Sequence, residues 1–380
     1  AWGGGMTVWT TGNSLGTARD ELPGCGSSAA GFVAGGSNAG YLTTSEEMNA
    51  LVWSAGGAMS TGRSAHVMFG TQSAGLATTG RISGGRTGST ENYNGTSFSS
   101  GVASAYDASY AAGCGTTTAG MVCGGTSNEV YSGAFSFTYK FNGTTWTSSG
   151  SLLAARYLHA VSGSQSAAFE CGGENSSGSI VATCNNFNGS TWASSGALPD
   201  GRRYSAGFGT QSAGRCAGGN DSSFAITAVT YLYSGSTWST GNSLNTGRKR
   251  LSGGSEVAAG GHTGAALSAV SEIYGDRIPS AFGFTDAVDA NLSTVTTSDT
   301  VTPTGYDVTT SWTVTGGDAS VAGGAWATSG TINPGQNIQL RATSSASYAT
   351  AVSATLTIGG ISDTWSVTTK NAPVPQIIFL

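Results

Sequence analysis

The stretch WTSSGSLLAARYLH, residues 146–159, decides the fold because its pattern returns along the chain. It opens on Trp146, places Leu152 six positions later and Arg156 ten positions later. The opening aromatic residue recurs six times, 44 to 48 residues apart, at Trp9, Trp53, Phe98, Trp146, Trp192 and Trp238. A period of this size is typical of repeat proteins.

Three further landmarks follow each opening aromatic residue in the same order. The apolar residue is Leu15, Met59, Leu152, Leu198 or Leu244, and the arginine is Arg19, Arg63, Arg156, Arg202 or Arg248. A pair of small residues comes next: Gly35-Gly36, Thr79-Gly80, Gly124-Gly125, Gly172-Gly173, Gly218-Gly219 and Gly260-Gly261. The third copy is degenerate, with Ser104 and Ala108 in place of the apolar residue and the arginine.

Four short strand-like runs fit into each copy, which is typical of the blades of a β-propeller. In the fourth copy the predicted strands cover residues 157–162, 167–171, 181–187 and 191–193. Asn188-Gly189 predicts a two-residue hairpin between the last two, and Asn94-Gly95, Asn142-Gly143, Ser234-Gly235 and Asn49-Ala50 repeat it. The Asn-Gly-Thr/Ser triplets also match glycosylation acceptors, but we interpret them as turns.

The two ends of the repeat region predict how a ring of blades closes. Tyr274 is the last aromatic residue that stands just before a predicted hairpin turn, and no tryptophan follows that turn. Trp9 has no such aromatic residue in the usual place before it. We therefore predict that the strand around residues 8–10 completes the blade that ends at Tyr274. This gives an all-β, six-bladed propeller over residues 1–279.

The order Leu152, Arg156, His159, then Gly-Gly, then an aromatic residue shortly before Trp, resembles the kelch repeat over about three quarters of the chain. The gap from Phe141 to Trp146 is shorter than in that family. The proline that commonly precedes the arginine in the family is present here only as Pro199. The string GTQSAG at 70–75 and 209–214 is similar to kelch-type proteins of tailed bacteriophages. The resemblance implies a virion structural protein, either a head decoration or a fibre or spike subunit, that recognises a surface or a host glycan.

The repeat ends at Pro279, and the sequence pattern changes after it. Residues 280–371 run in alternating β segments with frequent turns, which predicts a small β-sandwich without a cysteine pair between its sheets. The segments at 298–301, 323–326 and 356–363 resemble Ig-like modules at the ends of bacterial secreted and phage proteins. Such modules serve as spacers, anchors or weak binders.

Residues 372–380 form an apolar C-terminal tail that ends in Ile377, Ile378, Phe379 and Leu380. A free tail would leave these side chains in water, which is unfavourable. Either a capsid or tail protein, or a second copy of the chain, covers them in an assembly contact, or they pack back on the sandwich.

The composition excludes several classes of partner. The net charge is -5, only 9% of residues are charged, and no basic cluster exists for nucleic acid. No apolar run is long enough to span a membrane, and no signal segment is recognisable. A weakly charged surface rich in Ser, Thr and Gly suits the surface of a virion or, alternatively, an extracellular protein.

The arginines at one repeat position, Arg19, Arg63, Arg156, Arg202 and Arg248, predict a ring about the propeller axis. They could bind an anion or a sugar acid at the mouth of the channel. Alternatively, each guanidinium bonds carbonyl groups of loops between neighbouring blades. The structural interpretation is favoured because a repeated residue usually performs a repeated task.

The six cysteines form no CxxC motif, so no metal site and no cofactor are predicted. Cys171 and Cys184 lie symmetrically about a predicted turn, which leaves open a disulfide or two buried thiols. His66 and His159 occupy equivalent positions and are interpreted as parts of the repeat. We expect no enzymatic activity; the alternative is a secreted carbohydrate-active enzyme or a copper oxidase on a kelch scaffold.

Overall fold

The computed structural model describes residues 7–27, 30–49, 52–127, 133–253, 256–276, 279–306 and 309–374. It divides the chain into two compact units. One unit is Trp9–Tyr274, and the other joins Ala1–Val8 to Gly275–Leu380. The described residues form strands, turns and loops, and none of them belongs to a helix that could cross a membrane.

Trp9–Tyr274 contains six main sheets among the described residues, five of them with four antiparallel strands. The first strand of the chain is β1 (Thr7–Thr11). The first four-stranded sheet contains β2 (Gly24–Gly26), β3 (Gly31–Ala34), β4 (Ser45–Asn49) and β5 (Val52–Ala55). The second contains β6 (Val67–Thr71), β7 (Ala74–Thr78), β10 (Thr90–Tyr93) and β11 (Phe98–Ser100). Between β7 and β10 lies a short hairpin of β8 (Arg81–Ile82) and β9 (Gly85–Arg86).

The next three sheets keep the same strand order, in which each strand pairs with the one that precedes it in its sheet. Their strands are β12 (Ala112–Thr116), β13 (Ala119–Cys123), β14 (Thr138–Phe141) and β15 (Trp146–Ser148); β17 (Ala160–Ser164), β18 (Ala167–Cys171), β20 (Cys184–Phe187) and β21 (Trp192–Ser195); and β22 (Ala206–Thr210), β23 (Ala213–Ala217), β24 (Thr230–Tyr233) and β25 (Trp238–Thr240). The short strands β16 (Arg156–Tyr157) and β19 (Glu174–Asn175) pair with each other.

The sixth sheet combines the two ends of the repeat region. Its order is β1, then β27 (Ser271–Asp276), then β26 (Val257–Ala259). The ring of Trp9 lies 5.1 Å from that of Tyr274, and its indole nitrogen donates to Thr230 at 2.8 Å. Trp192 makes the same bond to Thr138 of the preceding sheet at 2.9 Å. The N-terminal strand thus occupies the place that the fourth strand has in the other sheets.

The predicted two-residue hairpins are wrong, because the loops contain four residues. Tyr93 pairs directly with Phe98, so residues 94–97 form the turn. Only Gly95 has a positive φ, of 92°, and the Asn94 side chain accepts the N–H groups of Thr96 and Ser97. The asparagine therefore serves as a side-chain cap and does not adopt the left-handed conformation. The looser counterpart at Asn49-Ala50 reaches beyond the described residues.

The GTQSAG strings have a structural role in the sheets. Their glutamine lies in the turn between the first two strands and donates to two carbonyl oxygens of the preceding sheet. Gln211 bonds Ala168 and Phe187, both at 2.8 Å. Gln165, in the related string GSQSAA at 163–168, bonds Gly120 and Phe141 at the same distance. Gln72 repeats this contact, so the side chain joins adjacent sheets.

The second unit contains two sheets that share one apolar core. They are built from β28 (Ala287–Ala290), β29 (Val295–Val301), β30 (Thr310–Thr315), β31 (Asp318–Val321), β32 (Ser329–Ile332), β33 (Ile338–Thr343), β34 (Ala351–Ile358) and β35 (Ile361–Thr369). The orders are β28-β35-β34-β30-β32 and β29-β33-β31. Trp365 is fully buried and donates its indole N–H to Thr285 at 3.0 Å. The predicted assembly contact at Ile377, Ile378, Phe379 and Leu380 lies outside the described residues.

Candidate functional site at the mouth of the central cavity

The five repeated arginines lie inside the repeats. Arg19, Arg63 and Arg248 are fully buried, and Arg156 and Arg202 are only 3% exposed. In four copies Nη1 donates to two backbone carbonyl oxygens at 2.6 to 3.3 Å, one after the second strand of the sheet and one before the third. The acceptors are Gly35 and Thr44, Thr79 and Ser89, Gly172 and Thr183, and Gly260 and Val270.

Three of these arginines also form buried ion pairs with glutamates that sequence reasoning missed. The pairs are Arg19 with Glu46 and Arg63 with Glu91, both at 2.7 Å, and Arg248 with Glu272 at 2.8 Å. The second carboxylate oxygen of each glutamate accepts a backbone N–H of the loop that carries the arginine, from Gly16, Ser60 and Asn245 respectively. Arginine and glutamate together therefore tie the loop to the third strand.

In the fourth and fifth copies other residues bind the buried arginine. Arg156 pairs with Glu170 on the second strand at 2.8 Å, and Asn185 takes the position of the missing glutamate and donates to Glu170. Arg202 donates to the hydroxyl of Tyr231 at 3.0 Å. The partner of the arginine varies, but its burial does not.

The third copy loses the arginine and the glutamate together. Ala108 is fully buried, and Tyr139 stands where three of the other copies have glutamate. The hydroxyl of Tyr106 donates to the carbonyl of Gly124 at 3.1 Å, which corresponds to the bond from the arginine in other copies. The Tyr106 ring stacks on Tyr139 with centroids 5.1 Å apart. An aromatic pair thus replaces the ion pair.

These contacts overturn the ligand-binding interpretation of Arg19, Arg63, Arg156, Arg202 and Arg248. Their guanidinium groups are buried and bonded to carbonyl and side-chain groups of their own repeats. A dissolved anion would have to displace these bonds and enter a closed interior. We therefore do not retain this set as a binding site.

Two positions after each of the five arginines, and after Ala108 in the third copy, the backbone makes a closed circle of six hydrogen bonds. The bonds run from the N–H of one copy to the carbonyl of the preceding copy at 2.9 to 3.1 Å, and the last one, from Glu21 to Arg250, returns to the first copy. The members are Glu21, Ala65, Tyr110, Leu158, Tyr204 and Arg250. All six have φ between 49° and 61°, a conformation that costs energy for residues other than glycine.

A second series of six bonds also closes. The second residue of each small pair donates to the carbonyl at the arginine position of the next copy, from Gly36 to Arg63 and finally from Gly261 to Arg19. The first residue of each pair has φ between 61° and 69°. A Cβ on Gly218 would lie 2.6 Å from the carbonyl oxygen of Arg248, which explains the small residue.

Inside the circle lies a cavity of about 480 Å³. The loop residues of the circle and the first strands of the five four-stranded sheets line it. The contributing ranges are 21–26, 65–70, 110–115, 158–163, 204–207 and 250–251. The circle brings one residue of every repeat to the opening, which we call the mouth.

One side of the mouth is organised around the carboxylate of Glu21. Its side chain is only 7% exposed. Tyr110 donates to it at 2.6 Å and Ser64 at 2.9 Å. Arg250 lies 3.6 Å away on one flank and Arg81 3.8 Å away on the other. The carboxylate is therefore held in one orientation by two hydroxyl groups and two cations.

The other side of the mouth combines cations with aromatic rings. Tyr204 contacts two guanidinium groups, with Arg250 at 4.7 Å and Arg203 at 5.4 Å from its ring centroid. Arg203 also lies 4.6 Å from the ring of Phe224, which is 56% exposed, and pairs with Glu174 at 2.9 Å. Aromatic faces beside fixed hydrogen-bond donors are common features of binding sites for small polar molecules.

His66 and His159 belong to the lining of the cavity and not to the side chains gathered at its mouth. His66 and His159 are both 5% exposed, as expected for parts of the repeat. Burial, and then the neighbouring Arg156, lower the pKa of His159 to about 3. Burial, and then the neighbouring Arg63, lower the pKa of His66. The described residues include no group of three or more His, Cys, Asp or Glu side chains that could hold a metal ion.

All six cysteines are free and buried. Cys171 and Cys184 lie directly opposite each other on β18 and β20, but the disulfide that the sequence left open is not formed. Cys216 of the next sheet packs in the same cluster. Burial in this apolar core raises the pKa of the Cys171 thiol, which keeps it protonated and unreactive.

The sequence contained one signal for the mouth. At the position two residues after the repeated arginine, the six copies have Glu, Ala, Tyr, Leu, Tyr and Arg, although the flanking landmarks repeat. Variation at a position that the fold makes equivalent indicates that each copy contributes something different there. The side chains from other loops, Arg81 and Phe224, could not be assigned to the mouth from the sequence.

Comparison with known proteins gives information on the fold alone. No protein-family model and no curated protein matches the chain. Among solved structures 149 chains match, and one of these is the structure of YjhT. It is 16% identical to this chain, with a TM-score of 0.57 over 68% of this chain and 95% of YjhT. Together with the antiparallel sheets, this likeness is consistent with an all-β, β-propeller-like fold.

Proposed function

We propose that Trp9–Tyr274 is a six-bladed, kelch-like propeller and that the second unit is an Ig-like sandwich. Six main sheets, the pairing of β1 with β27 and two circular series of six hydrogen bonds support the propeller. Two sheets around one core, with Trp365 at its centre, support the sandwich.

We propose further that the propeller is a recognition module whose mouth binds a glycan. The single observation that carries this proposal is the gathering of Glu21, Tyr110, Tyr204, Arg203 and Arg250 around one opening. Apart from the tyrosine that two copies share, the residues at these positions differ from copy to copy, so the architecture alone gives no reason for their presence.

The chemistry of the mouth suits a sugar. A sugar ring presents C–H groups on its faces and hydroxyl groups at its edges. The exposed ring of Phe224 offers an apolar surface for such a face. The guanidinium groups donate to hydroxyl oxygens, and the oriented Glu21 carboxylate accepts from hydroxyl groups. The cavity of about 480 Å³ is large enough for a ligand of this size.

We place this module on the surface of a phage particle, as a head decoration or a fibre or spike subunit. The support is the resemblance of the repeats to kelch-type phage proteins and the low content of charged residues, 9%. In this proposal the second unit or the C-terminal tail contacts capsid or tail proteins, or another copy of the chain. Mass spectrometry of purified particles tests the location, and persistent absence of the chain would refute it.

A glycan array with the whole chain tests the recognition proposal. We expect binding to a limited set of glycans, which Tyr204→Ala abolishes because the ring contacts two of the donors. Tyr348→Ala, a change of an exposed tyrosine in the second unit, is the matched control and should bind normally. Absence of binding to every glycan, or equal binding by Tyr204→Ala, would contradict the proposal.

A carbohydrate-active enzyme is the second candidate, and the setting of Glu21 favours it. A nearly buried carboxylate that receives a 2.6 Å bond from Tyr110 could exchange a proton with a bound sugar. If so, a bound glycan is converted to a product, and Glu21→Gln stops conversion while binding continues. A glycan that binds and is recovered unchanged supports the binding module instead.

A further inference from the structure

We infer that the ligand is a glycan chain of several sugar units, and that an aromatic platform on the third copy binds the units that extend beyond the mouth. The aromatic platform consists of Tyr106, Phe135, Phe137 and Tyr139. The inference rests on the proposed recognition of a glycan at the mouth. It specifies the length of the ligand and the side on which the chain leaves the mouth.

The four rings of the aromatic platform form one continuous cluster. Phe135 stacks on Phe137, with ring centroids 5.1 Å apart and 27° between the ring planes. Tyr106 meets both phenylalanine rings edge to face, at 5.6 and 6.1 Å, and stacks on Tyr139 at 5.1 Å. Every ring thus contacts at least two others, which fixes its orientation. Phe137 nevertheless remains 44% exposed.

The aromatic platform is larger than the loss of the ion pair in the third copy requires. Tyr106 and Tyr139 take the places of the arginine and the glutamate, but Phe135 and Phe137 have no such role. The counterparts of Phe135, whose N–H groups make the same backbone bond, are Leu42, Thr87, Val181, Thr227 and Ser268. The counterparts of Phe137 are Thr44, Ser89, Thr183, Val229 and Val270. None of them is aromatic, so the repeat is built without rings at these positions.

The aromatic platform adjoins the mouth. Backbone bridges join Ser109 to Thr126 and Thr126 to Ala134. Ser109 precedes Tyr110 of the circle, and Ala134 precedes Phe135. Ala134 also packs against the apolar cluster that contains Tyr110. The segment that carries the two phenylalanines therefore starts beside a residue of the mouth.

Size and charge favour a sugar over a protein as the occupant of the aromatic platform. A buried aromatic side chain contributes about 150–250 Å², and a stable protein interface covers about 800 Å² on each partner. One phenylalanine ring that is less than half exposed falls far short of that area. Residues 102–106 and 133–139 contain no charged side chain, so they do not select an acidic or basic ligand. An uncharged aromatic surface suits the C–H face of a sugar ring.

Calorimetric titration of the whole chain with three series of neutral oligosaccharides tests the inference. The probes are maltose-, cellulose- and chitin-derived chains of one to six units. In at least one series we expect the affinity to rise tenfold or more from the single sugar to the longest chain. Phe137→Ala should lower the affinity for the longest chain about tenfold, as expected for the loss of one aromatic contact. It should leave the affinity for the single sugar unchanged.

Two control variants show whether the ring itself is responsible. Phe137→Tyr keeps an aromatic face and should bind every chain as the wild type does. Tyr348→Ala removes a ring of similar exposure, 40%, from the second unit and should also bind normally. Thermal unfolding at the wild-type temperature shows that Phe137→Ala is folded.

The outcomes separate this inference from the proposal on which it rests. If Tyr204→Ala abolishes binding while chain length and Phe137→Ala have no effect, the inference fails and recognition at the mouth survives. If Phe137→Ala weakens binding and Tyr204→Ala does not, the aromatic platform is a sugar site and recognition at the mouth fails. If no series binds, the inference fails. It also fails if light scattering shows that Phe137→Ala only abolishes association between copies of the chain.

Discussion

The arginines of the repeated interior and those of the mouth have opposite roles. Arg63 is fully buried, pairs with Glu91 and is repeated by Arg19 and Arg248 with equivalent partners. Arg250 is 26% exposed, contacts Tyr204 and has no counterpart at its position in any other copy. The same side chain serves the repeated architecture in one place and lies partly exposed at the mouth in the other.

The difference teaches how to find a site in a repeat protein. A residue that recurs in every copy meets the same surroundings in every copy, so it solves a problem that every copy has. Here that problem is the attachment of a loop to the third strand. Residues at the mouth differ between copies although the backbone places them equivalently. Asymmetry on a symmetric frame therefore marks the candidate site.

Arg63→Ala should have the largest effect on stability. It leaves Glu91 buried without its partner and leaves the carbonyl of Ser89 without a donor. We expect the free energy of unfolding to fall by about 3–5 kcal/mol, as for other broken buried pairs. Urea denaturation measures it. The double variant Arg63→Ala/Glu91→Ala should lose less than the two single variants together, and simple additivity would argue against the coupling.

Ala108→Arg tests whether the third copy has abandoned the ion pair. The new guanidinium would be buried without a carboxylate, because Tyr139 occupies the place of the glutamate and Tyr106 already bonds Gly124. We expect a loss of about 3 kcal/mol in unfolding free energy. Adding Tyr139→Glu should restore part of it. A single variant as stable as the wild type would show that the site is open to water.

His159 predicts a dependence of stability on pH that belongs to the interior. Its pKa is lowered to about 3 in the folded chain from 6.5, so below pH 6.5 only the unfolded chain gains this proton. Its contribution to stability is therefore present above pH 6.5 and is lost as pH falls toward 3, by up to about 1.4 kcal/mol per pH unit.

The measurement is the difference in unfolding free energy between wild type and His159→Gln at several pH values, with His262→Gln as the control. The difference is needed because Glu170 acts in the opposite sense. Burial raises its pKa from 4.5 to about 7, so its contribution is present below pH 4.5 and is lost as pH rises to 7. Parallel pH profiles for wild type and His159→Gln would exclude a role of His159.

Lys249→Gln should have the smallest effect on stability. Its side chain is partly exposed and has no ion-pair partner among the described residues, so we expect a change within about 0.5 kcal/mol. Thermal unfolding compared with the wild type checks this. A large loss of stability would place Lys249 with the structural residues.

Much of the repeat architecture could be predicted from the sequence. The period, the strands and the pairing of the first strand with the last sheet follow from landmarks that recur, such as Trp9 and Tyr274. The strand predicted at 167–171 matches β18, whereas the one at 181–187 begins only at Cys184. Residues 181–183, just before that strand, form backbone hydrogen bonds with loop residues such as Gly172 and Gly173. The sequence pattern alone therefore does not distinguish them from the strand.

The candidate site was less predictable. The repeated arginines stand out in the sequence because they recur, and in the structure all five of them are buried. Glu46, Glu91 and Glu272 were missed because only three of the six copies have them. Arg81, Arg203 and Phe224 come from separate loops, and their convergence on Glu21 and Tyr204 depends on distances that no local pattern encodes.

The sequence by itself determined the period, the alternation of strands and the small residues at positive φ, because each of these depends on a few neighbouring residues. Only the tertiary structure decided which arginines are buried and which remain available. The fold of each repeat encloses one set of guanidinium groups between its loop and its third strand. The closed circle of backbone hydrogen bonds joins distant parts of the chain and brings the other set to a common opening.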